Sequence, residues 1–123
     1  MHMIINNQSM VPIYEQIMEQ IKKAIASGEL SEGSMLPSVR GLAAELRISA
    51  LTVKKAYDRL EEEGLTVTVH GKGTFVTETN RELVKEQQRM IAEQELQKVV
   101  EKALRGGLTK QELRELFEMI MEE

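Results

Sequence analysis

Two short amphipathic segments lie on either side of residues 47–49, and this spacing is the strongest constraint on the fold. Ser38 can cap a first helix, and Ser49 can cap a second helix that we expect over roughly residues 50–63. Three residues between helices leave room only for a tight turn. The second helix repeats apolar residues at i, i+3, i+4 and i+7, so we expect a buried face made of Val53, Ala56, Tyr57 and Leu60. The pattern predicts a helix–turn–helix.

A further helix precedes this pair and a β-hairpin follows it. Pro12 suits the first turn of a helix, and Gly28 suits its end. After Gly64, residues 66–69 and 74–76 are typical of two strands joined by the turn "HGKG". The fragment "GKGT" is not a phosphate-binding loop, because its glycine spacing is wrong and a strand, not a helix, follows it. The first fold prediction is therefore a mostly α winged helix-turn-helix domain with a small β-hairpin over residues 3–77.

The remaining residues, 78–123, are more polar and predict a short helical region. We expect a long charged helix over residues 80–105, a stop at Gly106 and Gly107, and a last helix opened by the capping box of Thr109 and Glu112. Their apolar stripes need a partner, so we predict homodimerisation. A small-molecule sensor in a dimer crevice is the alternative. The predicted dimerisation residues are Val84, Ile91, Leu96, Val99, Leu113, Phe117 and Ile120.

Composition and charge narrow the function classes. The chain has no cysteine and two histidines, so we expect no metal site, no cofactor and no catalytic group. No apolar run approaches the roughly 20 residues that span a bilayer, and no signal peptide is visible, so we expect a cytoplasmic protein without membrane contact. The net charge of −4 divides into −1 for residues 1–77 and −3 for residues 78–123, so the acid is concentrated away from the predicted helix–turn–helix.

The outward face of the second helix predicts contact with double-stranded DNA. In a helix–turn–helix this helix enters the major groove. Ser49 and Thr52 can donate to phosphates, and lysines can neutralise phosphates or reach guanine. The hairpin tip could reach the adjacent groove. The candidates are Ser49, Ala50, Leu51, Thr52, Lys54 and Lys55 on the helix, with His70, Gly71 and Lys72 on the wing. A winged-helix module that binds protein, with inert lysines, is the rival interpretation.

Residues 36–76, "LPSVRGLAAELRISALTVKKAYDRLEEEGLTVTVHGKGTFV", resemble the GntR family of bacterial transcription regulators, and residues 12–30 fit the same domain. The short helical tail resembles its YtrA-like branch. The resemblance implies a dimeric winged-helix regulator that binds a palindromic operator, and it suggests control of ABC-type transporter genes. We expect this regulator to be a repressor. It assigns the family's DNA-contacting arginine to Arg40, its cap hydroxyl to Ser49, its threonine to Thr52 and its basic residue to Lys54. The wing tip falls on residues 70–72.

Three positions depart from the family pattern. Ala50 stands where an arginine is common, which removes a guanine reader. Gly41 replaces a common acidic residue that completes a capping box. Arg47 replaces the usual glycine of the turn, so it either takes a positive φ or belongs to a different turn, and it could instead add a phosphate contact.

Overall fold

The computed structural model describes residues 2–78 and 81–123. Within these residues the chain forms five helices and one antiparallel hairpin. In chain order the elements are α1 (Ile13–Ser27), α2 (Val39–Leu46), α3 (Ala50–Glu62), β1 (Thr66–Val69), β2 (Gly73–Val76), α4 (Arg81–Arg105) and α5 (Lys110–Met121). The predicted mostly α fold with a winged helix-turn-helix is confirmed. Residue 80, where the sequence predicted the long helix to begin, lies outside the described residues.

The helix ends follow the local signals of the sequence. Gly28 ends α1 in the left-handed conformation with a φ of 87°. The Oγ atom of Ser38 accepts a hydrogen bond from the Gly41 N–H at 3.0 Å and so caps α2. At α5, Thr109 and Glu112 form the predicted capping box. The hydrogen bond from the Thr109 N–H to the Glu112 carboxylate holds the pKa of that carboxyl below its ordinary value.

The core of the N-terminal unit, Met1–Glu86, lies between α1, α2 and α3. Ile17 and Ile21 of α1 and Val53 and Leu60 of α3 are completely buried. Ala56 and Tyr57 are also buried, so the predicted apolar face of α3 is confirmed. Burying such aliphatic side chains stabilises the fold by about 1.5–3 kcal/mol each. This packing fixes α3 and leaves its opposite face exposed.

The hairpin is extended by part of the connection between α1 and α2. In this connection, the segment from Gly33 to Leu36 pairs with β2. The Leu36 N–H donates to the Thr74 carbonyl at 2.8 Å, and the Gly33 N–H donates to the Val76 carbonyl at 2.9 Å. β2 therefore has hydrogen-bonded neighbours on both sides, which anchors the wing to the domain.

The N-terminal residues are attached to α1 by two glutamine side chains. The Gln20 amide donates to the Ile4 carbonyl at 2.7 Å and accepts from the Ile4 N–H at 2.9 Å. Gln16 makes the same pair of bonds with the backbone of Asn6. Met3 is buried in the core as a result. This arm is therefore part of the folded domain.

The second unit, Gln87–Glu123, contains the rest of α4 and all of α5. An apolar groove with a volume of about 350 Å³ runs between these helices. Six of its apolar lining residues are Leu96, Val99, Leu113, Leu116, Phe117 and Ile120. In residues 2–78 and 81–123, no helix is long and apolar enough to cross a membrane.

Candidate nucleic-acid interface

The turn between α2 and α3 depends on a left-handed residue. Arg47 has φ 56° and ψ 47°. Its N–H donates to the Ala44 carbonyl at 3.3 Å, and the Ile48 N–H donates to the Ala43 carbonyl at 3.0 Å, which is the Schellman arrangement. The chain thus takes the positive φ that the family's glycine would take easily. Arg47 is exposed beside the start of α3.

Ser49 begins α3 and holds a hydroxyl pair at its N-terminus. Its Oγ accepts from the Thr52 N–H at 3.1 Å, so the predicted N-cap is confirmed. The two hydroxyl oxygens lie 2.8 Å apart, and one donates to the other. Whichever donates, the other hydroxyl keeps its proton available. The helix N-terminus also attracts anions, so this pair is suited to a phosphate.

Lys54 is tied to Asp58 one turn further along α3. Its Nζ lies 2.8 Å from the Asp58 Oδ2, and both side chains are more than half exposed. The hydrogen bond to Asp58, and the negative charge of that carboxylate, raise the pKa of Lys54. Lys54 is therefore a protonated donor whose direction is set by its neighbour.

Lys55 takes a different direction from Lys54. Its Nζ lies 4.1 Å from the centroid of the Tyr14 ring of α1, and the Arg59 guanidinium lies 5.7 Å from the same ring. These distances are typical of cation–π contacts. Lys55 remains exposed, but it lies on the α1 side of α3.

A concave surface of about 550 Å³ lies between α2, α3 and the hairpin. It is lined by Val39, Arg40, Ala50, Leu51, Lys54, Tyr57, Asp58, Glu61, Thr68 and Thr74, and this set is called the α3–wing concavity below. Arg40 reaches it from the first turn of α2. The hydroxyl of buried Tyr57 donates to the Pro37 carbonyl at 2.8 Å, which fixes the start of α2 relative to α3. Burial raises the pKa of Tyr57, so its hydroxyl remains a donor.

The wing is held against α3 by Glu61. The carboxylate of Glu61 accepts from the Thr68 N–H of β1 at 2.7 Å, and Thr68 and Thr74 hydroxyls lie 3.0 Å apart across the hairpin. Val69 pairs with Gly73, so residues 70–72 form the tip. Gly71 has a φ of 77°, and the whole tip is exposed. The Glu61 carboxylate therefore holds β1 of the wing against α3.

The structure brings together part of the predicted DNA-binding set. Arg40, Ala50, Leu51 and Lys54 share the α3–wing concavity, whereas Lys55 contacts Tyr14. The hydroxyl pair lies at the start of α3, and the wing tip projects as a separate exposed end. These placements leave the DNA-binding roles of the individual residues as predictions.

The predicted site did not include Glu61 and Thr68, which line the α3–wing concavity, or Tyr14, which contacts Lys55. The i, i+4 spacing of Lys54 and Asp58 could have indicated their ion pair. Tyr14 and Lys55 are far apart in the chain, so no local sequence pattern indicates their contact.

Comparison with known proteins agrees with this geometry. Residues 13–76 match the bacterial regulatory proteins of the gntR family. The chain is 36% identical over 118 residues to the HTH-type transcriptional repressor YtrA of Bacillus subtilis, covering 96% of this chain and 88% of that protein. A crystal structure of a transcriptional regulator from Oenococcus oeni superposes with a TM-score of 0.73 at 31% identity, covering 95% of this chain and 97% of that one.

A solved protein–DNA complex also contains a domain similar to this chain. The DNA-binding domain of AraR, in complex with operator ORX1, superposes with a TM-score of 0.56 at 29% identity and covers 62% of this chain and 95% of that one.

Proposed function

The chain belongs to the gntR family of bacterial regulatory proteins, and we propose that it is a repressor that occupies a palindromic operator as a homodimer. It is a DNA-binding transcriptional regulator and not an enzyme. The observation that carries the proposal is the exposed α3–wing concavity, in which Arg40 and Lys54 lie near the N-terminal end of α3, the proposed recognition helix.

We place the N-terminal half of α3 in the major groove and the wing tip at the neighbouring groove. The sugar–phosphate strand between two grooves then lies along the concavity. Arg40 and the Ser49–Thr52 hydroxyl pair contact phosphates, and Lys54 reaches a base edge. Ala50 and Leu51 pack on thymine methyl groups. His70, Gly71 and Lys72 contact the wing-side groove, and Lys55 adds a phosphate contact on the α1 side.

The dimer is proposed to form through residues 78–123, with residues 3–77 as the DNA-binding domain. Leu96, Val99, Leu113, Phe117 and Ile120 line one groove in the second unit, and each is exposed or only partly buried. Such an apolar groove is costly to leave in water, so a second copy is its proposed occupant. Ile91 is exposed on α4 and fits the same role. Val84 is buried in the N-terminal core, so the proposed partner surface does not need it.

A two-fold dimer places its recognition helices about 34–36 Å apart, one duplex turn, on an operator with the same symmetry. The repressor YtrA resembles this chain over nearly its whole length, which supports occupancy of a promoter as the mode of action. We extend the proposal to ABC-type transporter genes as the regulated set and to the cytoplasm as the location, on the resemblance to the YtrA-like branch.

Footprinting on the DNA upstream of the chain's own gene tests this proposal. We expect protection of two symmetric half-sites whose centres are about 10 base pairs apart or a multiple of one turn. Protection of a single half-site, with a strict monomer by light scattering at micromolar concentration, would refute the dimeric mechanism. Absence of any sequence preference would favour the rival protein-interaction module.

A matched pair of α5 variants tests the proposed dimer surface. Phe117→Glu places a carboxylate in the apolar groove, whereas Met119→Glu makes the same change at an exposed residue outside the groove lining. We expect Phe117→Glu to dissociate the dimer and Met119→Glu to leave its mass unchanged. Equal masses for the two variants would place the interface elsewhere.

A small-molecule effector is the second candidate, because the groove volume of about 350 Å³ lies within the range of ligand sites. Thermal shift against a metabolite panel tests it, since a ligand of the native state raises the melting temperature. A compound that raises the melting temperature of wild type but not of Phe117→Glu would place the effector in this groove or at the proposed dimer interface, since both are changed in that variant.

A further inference from the structure

Asp58 is a carboxylate on the surface that faces DNA in the proposed complex. It lines the α3–wing concavity together with Arg40 and Lys54. A free carboxylate there would repel the phosphates and oppose binding. Of the two acidic residues that line the concavity, Glu61 is engaged by the Thr68 N–H, and Asp58 is engaged by Lys54. Asp58 therefore acts on DNA through its effect on Lys54.

The ion pair changes what Lys54 can offer a ligand. An ammonium group has three donors, and Asp58 takes one of them at 2.8 Å. The ion pair favours one position of the ammonium group, and the remaining two donors point from there. The carboxylate also offsets the positive charge, so the pair attracts a phosphate less than a lone lysine does. Lys55 lies above the uncharged Tyr14 ring, and this contact does not offset its positive charge.

These two effects act in opposite directions on operator and non-operator DNA. Binding to non-operator DNA is dominated by phosphate neutralisation. A lysine whose charge is offset by a carboxylate neutralises phosphates less than a lone lysine does. Binding to the operator gains from base-edge contacts, which need a donor at a defined position. A residue that weakens binding to non-operator DNA and orders the donor for the operator raises the ratio of operator affinity to non-operator affinity.

We propose that Asp58 is a specificity-determining residue that holds Lys54 as a directed donor for one base of the operator and withholds its charge from the phosphates of other DNA. The inference rests on the proposed function, because it requires α3 to lie in the major groove. Asp58 is a positioning residue in this scheme and need not touch DNA.

The test compares Asp58→Asn with Glu62→Gln. Glu62 is an exposed residue of the same helix, and both variants remove one negative charge. Affinity is measured by fluorescence anisotropy for the footprinted operator and for a scrambled duplex of equal length, over a series of salt concentrations. Asp58→Glu, which keeps a carboxylate at the i+4 position, is the rescue variant.

We expect Asp58→Asn to raise affinity for the scrambled duplex about threefold beyond the Glu62→Gln effect, in the range of an exposed ion pair. The salt slope on that duplex should steepen by roughly one phosphate contact. The operator-to-scrambled affinity ratio should fall about fivefold, and Asp58→Glu should restore most of it.

Any other combination overturns the inference. If Asp58→Asn matches Glu62→Gln on both duplexes, Asp58 contributes only net charge. If operator affinity falls while scrambled affinity stays at the Glu62→Gln value, Asp58 does not withhold charge from the phosphates. Failure of the proposed function looks different, because wild type itself would then bind both duplexes equally.

Discussion

Replacing Arg47 with glycine should stabilise the domain. Among the residues that the structure describes, Arg47 is the non-glycine residue with a positive φ, which is 56°. A left-handed conformation costs a residue with a Cβ about 1–2 kcal/mol. Glycine avoids that cost but loses about 0.5–1 kcal/mol more conformational entropy on folding. The net expectation for Arg47→Gly is a gain of about 0.5–1 kcal/mol in the free energy of unfolding.

Arg47→Ala is the matched control, because it removes the guanidinium and keeps the Cβ. We expect its stability to lie within about 0.5 kcal/mol of wild type, as for other surface substitutions. Urea unfolding followed by circular dichroism measures both variants, and a shift in the midpoint without a change in slope reports stability alone. A glycine variant no more stable than the alanine variant would refute the strain argument.

The same pair of variants separates strain from DNA contact. Both lack the charge of Arg47, so a phosphate contact by this residue would weaken duplex binding equally in both. The stability difference between them would remain.

Two further changes test how the wing is built. Thr66 is 2% exposed, and its Oγ1 is the buried side-chain polar atom with no hydrogen-bond partner among the described residues. Thr66→Val removes this unpaired hydroxyl, so it should raise the free energy of unfolding by about 1 kcal/mol. Calorimetry checks this, and a loss of stability would show that the hydroxyl is satisfied in solution. Glu61→Ala removes the acceptor of the Thr68 N–H, so hydrogen exchange at that amide should accelerate about tenfold, as expected for a charge-assisted bond. Glu62→Ala is its control, and equal exchange in the two variants would mean that Glu61 does not hold the wing.

Local signals predicted much of this fold. Ser38, Ser49 and the Thr109–Glu112 box cap helices as expected, because a cap is decided by residues three positions apart. The positive φ at Arg47, one of two alternatives from the sequence, is the one observed. The buried face of α3 followed from its periodicity.

The contacts that the sequence did not reveal join residues distant in the chain. The pairing of the segment around Met35 with β2 depends on Phe75, about 40 residues away. Gln16 and Gln20 bind the backbone of the N-terminal arm, although their positions on a helix suggest only solvent-exposed side chains. Tyr14 and Lys55 come together only when α1 packs on α3. Periodicity shows which face is buried, but it does not identify the long-range partners at the edge of that face.

The most direct test of the account is the operator affinity of Arg40→Ala plus Lys54→Ala against that of Lys98→Ala plus Lys102→Ala. Each double variant removes two positive charges, the first from the α3–wing concavity and the second from exposed positions of α4. We predict that the first weakens operator binding by at least about tenfold, because it removes the phosphate contact of Arg40 and the base-edge contact of Lys54. It should lower the salt slope by roughly 1, because one lost phosphate contact contributes about 0.9. The second should stay within about twofold of wild type. Equal affinities and slopes for the two double variants would contradict the assignment of this surface to DNA.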